Sequence, residues 1–188
     1  MEKNYVTILL DNDPGLREKS QPVDLPLSVE DHNLLQNLLD YVVDSHDEEL
    51  IEQYQLKAAS GLAAPQIGVN KQLIAISVEE VKDDDIIIHR YALANPKIIS
   101  HSEQQVYLKS GEGCLSVVDQ HEGYVPRYAR IRVNAYDMLL NQEVTIRASG
   151  YLAVVLQHEI DHLKGILFYD HINSDDPFSE IPDALVID

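Results

Sequence analysis

The sequence predicts an α+β protein, with antiparallel and mixed β-sheets packed around a central buried helix and an amphipathic helix near the N-terminus. Three observations carry this prediction. Leu34, Leu35, Leu38, Leu39, Val42 and Val43 recur at helical spacing early in the chain. Short β-rich runs fill the middle. A nearly all-apolar stretch, Tyr151 to Leu156, comes late and leads into Gln157-His158-Glu159-Ile160-Asp161-His162.

Taken in order, Asp13-Pro14-Gly15 marks a turn. Ser28 is placed to cap the first helix, with Asp31 completing a capping-box-like pair. The segment Ser60 to Gly68 is too rich in small residues for an ordinary helix and contains Pro65; it reads as backbone built for close approach, or as a loop packed on the core. Strand signals follow at Leu73 to Val78, Ile86 to Leu93, Lys97 to Ser100, Gln104 to Leu108, Ile131 to Tyr136 and Val144 to Ala148. Asp83-Asp84-Asp85 is expected in an exposed connection, and the last two strands in a hairpin across Asp137 to Glu143. For the late helix, Ser149 is expected to cap the start and Gly165 to end it in the left-handed conformation. A helix so apolar is buried on nearly every side. His, Glu, Asp and His in its second half are costly there unless something binds or pairs them. Asp161 and Gln157 are candidate partners for fixing an imidazole tautomer.

With 188 residues, 45% of them hydrophobic, the chain is long enough for one buried core, so a single domain over 1–188 is expected, with an acidic tail from about 172 to 188. There is no signal-peptide pattern and no apolar run near the ~20 residues that span a bilayer, so the cytoplasm is the expected compartment and no membrane partner is expected. One cysteine excludes an internal disulfide framework. A net charge of −18, from 14 basic and 32 acidic residues, argues against nucleic acid as a direct partner. The acids cluster at 44–52, 79–85 and 170–188, and read as solvated faces.

His158-Glu159-x-x-His162 is the H-E-x-x-H pattern of a helical metal site. At about 100° per residue the two imidazoles fall within about 40° of each other and can grip one ion. Glu159 turns toward the same side, where it can exchange a proton with bound water. A catalytic site normally takes a third protein donor. Asp170, His171 and the tail acids are downstream candidates. Cys114, in Gly111-Glu112-Gly113-Cys114-Leu115-Ser116, is the stronger one, because a thiolate beside a divalent metal is favoured over the thiol and the glycines allow a tight backbone path. Two imidazoles and a thiolate suit zinc on coordination grounds.

Together, Gly61 to Gly68, Glu112 to Ser116 and Gln157 to His162 resemble the three signatures of peptide deformylase, in that order. Asn95 to Ile98, Gly123 to Arg127 and Gly165 to Asp170 extend the likeness over most of the chain, which looks most like the larger class of Gram-positive bacteria. The resemblance implies removal of the formyl group from the N-terminal formyl-methionine of nascent polypeptides, releasing formate. It implies Cys114, His158 and His162 as metal ligands, with Fe2+ as the physiological ion and Zn2+, Ni2+ or Co2+ able to substitute. Metal-bound hydroxide would attack the formyl carbon, Glu159 would act as general acid and base, and the Gln66 amide and Leu115 N–H would face the oxyanion. Gly61, Glu112 and Val155 are expected at the substrate, Gly61 alongside an added peptide strand and Val155 as a pocket wall. The pattern departs from the family at Ala59, where glycine is usual, and at Ser60, where Ile or Val is common. If position 59 needs φ > 0, Ala59 carries strain of about 1 kcal/mol; alternatively its methyl narrows the substrate cleft. Alternative readings are a non-catalytic deformylase-like binding protein and an H-E-x-x-H metallopeptidase. Ribosome contact, where it occurs, is not expected through the acidic tail.

Overall fold

The computed structural model describes residues 5–83 and 85–188. Helix α1 (Val29–Asp44) starts where expected, with the Ser28 hydroxyl oxygen accepting the Asp31 N–H. The Asp31 carboxylate does not return the favour to the Ser28 backbone. It accepts the Ser28 hydroxyl and the Lys71 ammonium, at 2.8 and 2.7 Å. Helix α2 (Glu48–Tyr54) starts inside a run read only as a solvated acidic face. Asp47 caps it, Glu48 and Glu49 sit favourably at its positive end, and Leu50, Ile51 and Tyr54 pack on the core beneath.

Strands β1 (Gly61–Ala63), β2 (Leu73–Lys82), β3 (Asp85–His101), β6 (Arg130–Asp137) and β7 (Gln142–Ser149) form an antiparallel sheet in the order β1-β2-β3-β6-β7. A smaller mixed sheet orders β5 (Arg127–Tyr128), β4 (Gln105–Leu108) and β8 (Leu185–Ile187), with β8 parallel to β4. The predicted 131–136/144–148 hairpin forms. The two runs at 86–93 and 97–100 are one strand, interrupted where Asn95 takes φ +52° and the register slips between Ala94 and Lys97. The Asn95 side chain secures that irregularity by bonding the Val23 backbone N–H and C=O at 2.9 and 2.8 Å. Asp83 and Asp85 flank the β2–β3 turn, and the middle residue of that acidic run lies outside the described residues.

The larger sheet is covered on both faces, which is why Leu73 to Val78 is a nearly continuous apolar run. Leu73 and Ala75 meet Leu35, Leu38 and Val42 of α1. Ile74, Ile76 and Val78 face the other way, onto Ala153, Leu156 and Ile160 of helix α3 (Gly150–His162). Each fully buried side chain such as Leu38 or Leu156 contributes about 1.5–3 kcal/mol of burial. Val154 of α3 packs with Val106 and Ala129 near the smaller sheet.

The start of α3 differs from expectation. Ser149 sits at the cap position, but its hydroxyl makes no capping bond, because its backbone still belongs to the β6–β7 ladder opposite Arg130. The end agrees. Gly165 takes φ +73°, its N–H bonds the His162 carbonyl, and Ile166 N–H bonds the Asp161 carbonyl, the paired bonds of a Schellman motif. Only glycine fits there, since a Cβ would stand 2.3 Å from the Arg17 carbonyl oxygen.

Candidate metal centre

The last turns of α3 and the segment after β4 bring three donors together. One ligand atom each from Cys114, His158 and His162 lies within 4.8 Å of the others. Cys114 Sγ is 3.4 Å from His162 Nε2, close to the roughly 3.6 Å S···N edge of a tetrahedron with metal–ligand bonds of ordinary length. Gly111, at φ +76°, turns the chain out of β4. The segment is then held by Asp11 N–H on the Ser116 carbonyl at 2.7 Å. Asp170 and His171 lie elsewhere. Asp170 pairs with Arg17 and accepts the Leu167 N–H, while His171 Nε2 bonds Asp161 at 2.8 Å.

The partner of His158 is neither of the two the sequence suggested. Its Nδ1 donates to Glu112 Oε2 at 2.8 Å, which leaves Nε2 for an ion. Gln157 instead clamps the backbone of Tyr128, and Asp161 accepts Arg127 Nη1 at 2.5 Å. Glu112, expected at the substrate, lines a cavity beside Cys114 and His158. Both its oxygens are already committed, to His158 and, through a two-point contact at 2.8 and 2.9 Å, to Arg127. Burial would raise the Glu112 pKa, but the hydrogen bonds from Arg127 and His158 outweigh it and hold it near about 2. Asp161 is likewise held well below the usual range, with burial outweighed by His171, Arg127 and Lys164. Arg127 is buried between these carboxylates. It was invisible as a site residue in sequence, since no local pattern marks an arginine whose partners stand 15 and 34 residues away.

Glu159 is buried, and its Oε2 has no hydrogen-bond partner among the described residues; the same holds for His162 Nδ1. Burial pushes the Glu159 pKa up to about 7; the Glu112 charge adds to the rise, and His158 and Arg127 oppose it. Burial and the neighbouring His158 push the His162 pKa well down, whereas burial of His158 is outweighed by its hydrogen bonds with Cys114 and Glu112, which push it well up. Gln66 is buried too. Its Oε1 accepts the Ala63 N–H at 2.9 Å, while Nε2 points to Ser116 Oγ at 3.2 Å and toward Cys114 Sγ at 3.5 Å.

These groups open onto a cavity of about 530 Å3, with Glu159 and Gln66 at its buried end, Leu115, Val154 and Val155 along its walls, and the half-exposed Tyr151 at its rim. Gly61 lines it as well and is shaped by Glu159, for a Cβ at position 61 would lie 2.5 Å from Oε1. Ala59 is not among the positive-φ residues, so the expected strain is absent. Its N–H bonds Ser45 Oγ at 3.1 Å, its carbonyl accepts from His46 Nε2 at 3.0 Å, and its methyl joins the core.

Two imidazoles and a thiol converging beside an unpaired buried carboxylate, on an α+β frame, define a metal-dependent hydrolase. The sequence pattern of the polypeptide deformylase family matches residues 5–178. Peptide deformylase 2 of Geobacillus stearothermophilus is 52% identical over 179 residues, covering 95% of each chain. The crystal structure of peptide deformylase from Ehrlichia chaffeensis superposes with a TM-score of 0.72 at 32% identity, covering 93% of this chain and 91% of that one. A Met-Ala-Ser-bound class I type b peptide deformylase from Acinetobacter baumannii gives 0.69 at 26% identity, covering 90% and 99%. The chain belongs to the polypeptide deformylase family, a hydrolase family that removes N-formyl groups, and its relatives include Bacillus-type enzymes. No helix among the described residues is long and apolar enough to cross a membrane.

Proposed function

We propose that the chain acts in the cytoplasm as a single catalytic domain on the formyl-methionine of nascent peptides. Cys114, His158 and His162 would hold the metal, Fe2+ in the cell with Zn2+, Ni2+ or Co2+ able to replace it. Such an ion supplies an acidified water and polarises the formyl oxygen. Glu159 would take a proton from the attacking water at Oε2, which has no partner among the described residues, and deliver it to the departing amine nitrogen as formate and a free N-terminus form. The Gln66 side-chain amide and the Leu115 N–H donate to the oxygen that gains negative charge. Glu112 and Arg127 position the His158 ring.

The peptide lies extended against β1, whose far side carries no strand in the described sheet, and the methionine side chain enters the cavity against Val154 and Val155. The Acinetobacter protein holds Met-Ala-Ser, which supports a methionine-first peptide as the kind of ligand. The observation that carries the reading is the Cys114–His158–His162 cluster beside the unpartnered Glu159.

Protein purified without oxygen and loaded with iron should release formate from formyl-Met-Ala-Ser. Absence of formate with the ion bound would leave only the binding-protein reading, whose one sequence support, Ala59, is accommodated without strain. Cys114→Ser should lose most of the bound metal; full retention would favour a metallopeptidase with another third ligand. Ribosome anchoring through residues 172–188 is not part of this proposal. Leu185 to Ile187 are engaged as β8 against β4, and Asp188 pairs with Lys109 at 3.0 Å.

A further inference from the structure

The cavity carries a feature that the chemistry above does not use. Ser60 Oγ, just before β1, and Tyr151 OH, in the first turn of α3, lie 3.0 Å apart, and both residues line the cavity. Tyr151 is 40% exposed, so the pair sits at the rim, whereas Gln66 and Glu159 form the buried end. Whichever hydroxyl donates to the other, one O–H is left free to donate outward, along with acceptor lone pairs. An apolar side chain placed over the pair would strip water from that O–H and give nothing back.

The spacing says which substrate residue meets it. Side chains of an extended peptide alternate, so the first and third residues face the same wall, about 6.6 Å apart. Val155 stands beside the methionine pocket, and Tyr151 precedes it by four residues, about 6 Å along the helix. The side chain of the second residue points away.

We propose that the Ser60–Tyr151 hydroxyl pair is a specificity element that favours a hydrogen-bonding side chain at the third residue of the substrate. The inference rests on the proposed placement of formyl-methionine in the cavity. At a half-exposed rim, one additional hydrogen bond corresponds to about a three- to tenfold preference.

The test compares formyl-Met-Ala-Ser, formyl-Met-Ala-Val and formyl-Met-Ala-Ala on the iron-loaded protein without oxygen, reading kcat/KM. Calorimetric binding of the tripeptides Met-Ala-Ser and Met-Ala-Val gives a second readout that needs no turnover. Wild type should favour Ser over Val by about three- to tenfold in both readouts. Either single variant, Ser60→Val or Tyr151→Phe, leaves one hydroxyl with a free O–H and should keep part of the preference, whereas the double variant should bring the ratio near one. A wild-type ratio within twofold of one, or a ratio that survives the double substitution, overturns the proposal. No formate from any of the three peptides would instead count against the proposed activity, and the tripeptide binding ratio would still decide the role of the pair.

Discussion

Replacing Gly61 with alanine tests how closely the catalytic carboxylate is fitted. The new methyl would stand 2.5 Å from Glu159 Oε1, 2.7 Å from Cγ and 2.8 Å from Cδ. Ordinary contact begins near 3.4 Å, so the carboxylate must retreat by about 0.9 Å. Backbone strain is not the issue, because Gly61 does not occupy the positive-φ region. Misplacing a catalytic group by about 1 Å can cost about 100-fold in rate. Gly61→Ala should therefore lower kcat by about two orders of magnitude while metal content and melting temperature stay near wild type. Formate release measured without oxygen, with metal analysis on the same sample, reads both quantities. Shortening the side chain in the Gly61→Ala, Glu159→Asp double variant should cost less than the sum of the two single losses, because aspartate makes room for the methyl. A kcat within threefold of wild type at full metal occupancy would refute the reasoning.

Two further outcomes concern the buried charges. Arg127→Met leaves Glu112 and Asp161 without their shared guanidinium, and breaking a buried pair of this kind costs about 3–5 kcal/mol, readable as a lowered urea midpoint. Stability should also depend on acid. Glu112 and Asp161 have folded pKa values below their unfolded ones, so their contribution is complete above about 4.5 and is lost as pH falls toward 2. Urea unfolding of the metal-free protein between pH 3 and 6 should show that slope, and Glu112→Gln should flatten it; an unchanged slope would mean that these carboxylates are not the linked groups.

What could be read from sequence is what local rules control. Helix α1, with its Ser28 cap, the 131–148 hairpin and the glycine end of α3 each follow from a short pattern. The Cys114–His158–His162 cluster was accessible because an i, i+4 histidine pair demands another donor and the chain has one cysteine. Features fixed by distant contacts were not legible. The bend at Asn95 depends on Val23, 72 residues away. Helix α2 was hidden by its acids, although Leu50, Ile51 and Tyr54 mark a buried side. Strand β8 has three residues and exists only because β4 lies beside it. The bonds of Glu112 to His158 and Arg127 were not legible either, because its signature position says that it matters but not which neighbours it holds.

The single guanidinium of Arg127 touches both halves of the centre. It grips Glu112, two residues before Cys114, and Asp161, one residue before His162. The loop that brings the sulfur and the helix that brings the nitrogens are thus tied to each other by protein atoms alone. An ion arriving here meets a socket already assembled, so its binding free energy goes into occupancy rather than into folding the chain. Chelation should then leave a folded apoprotein that regains metal quickly.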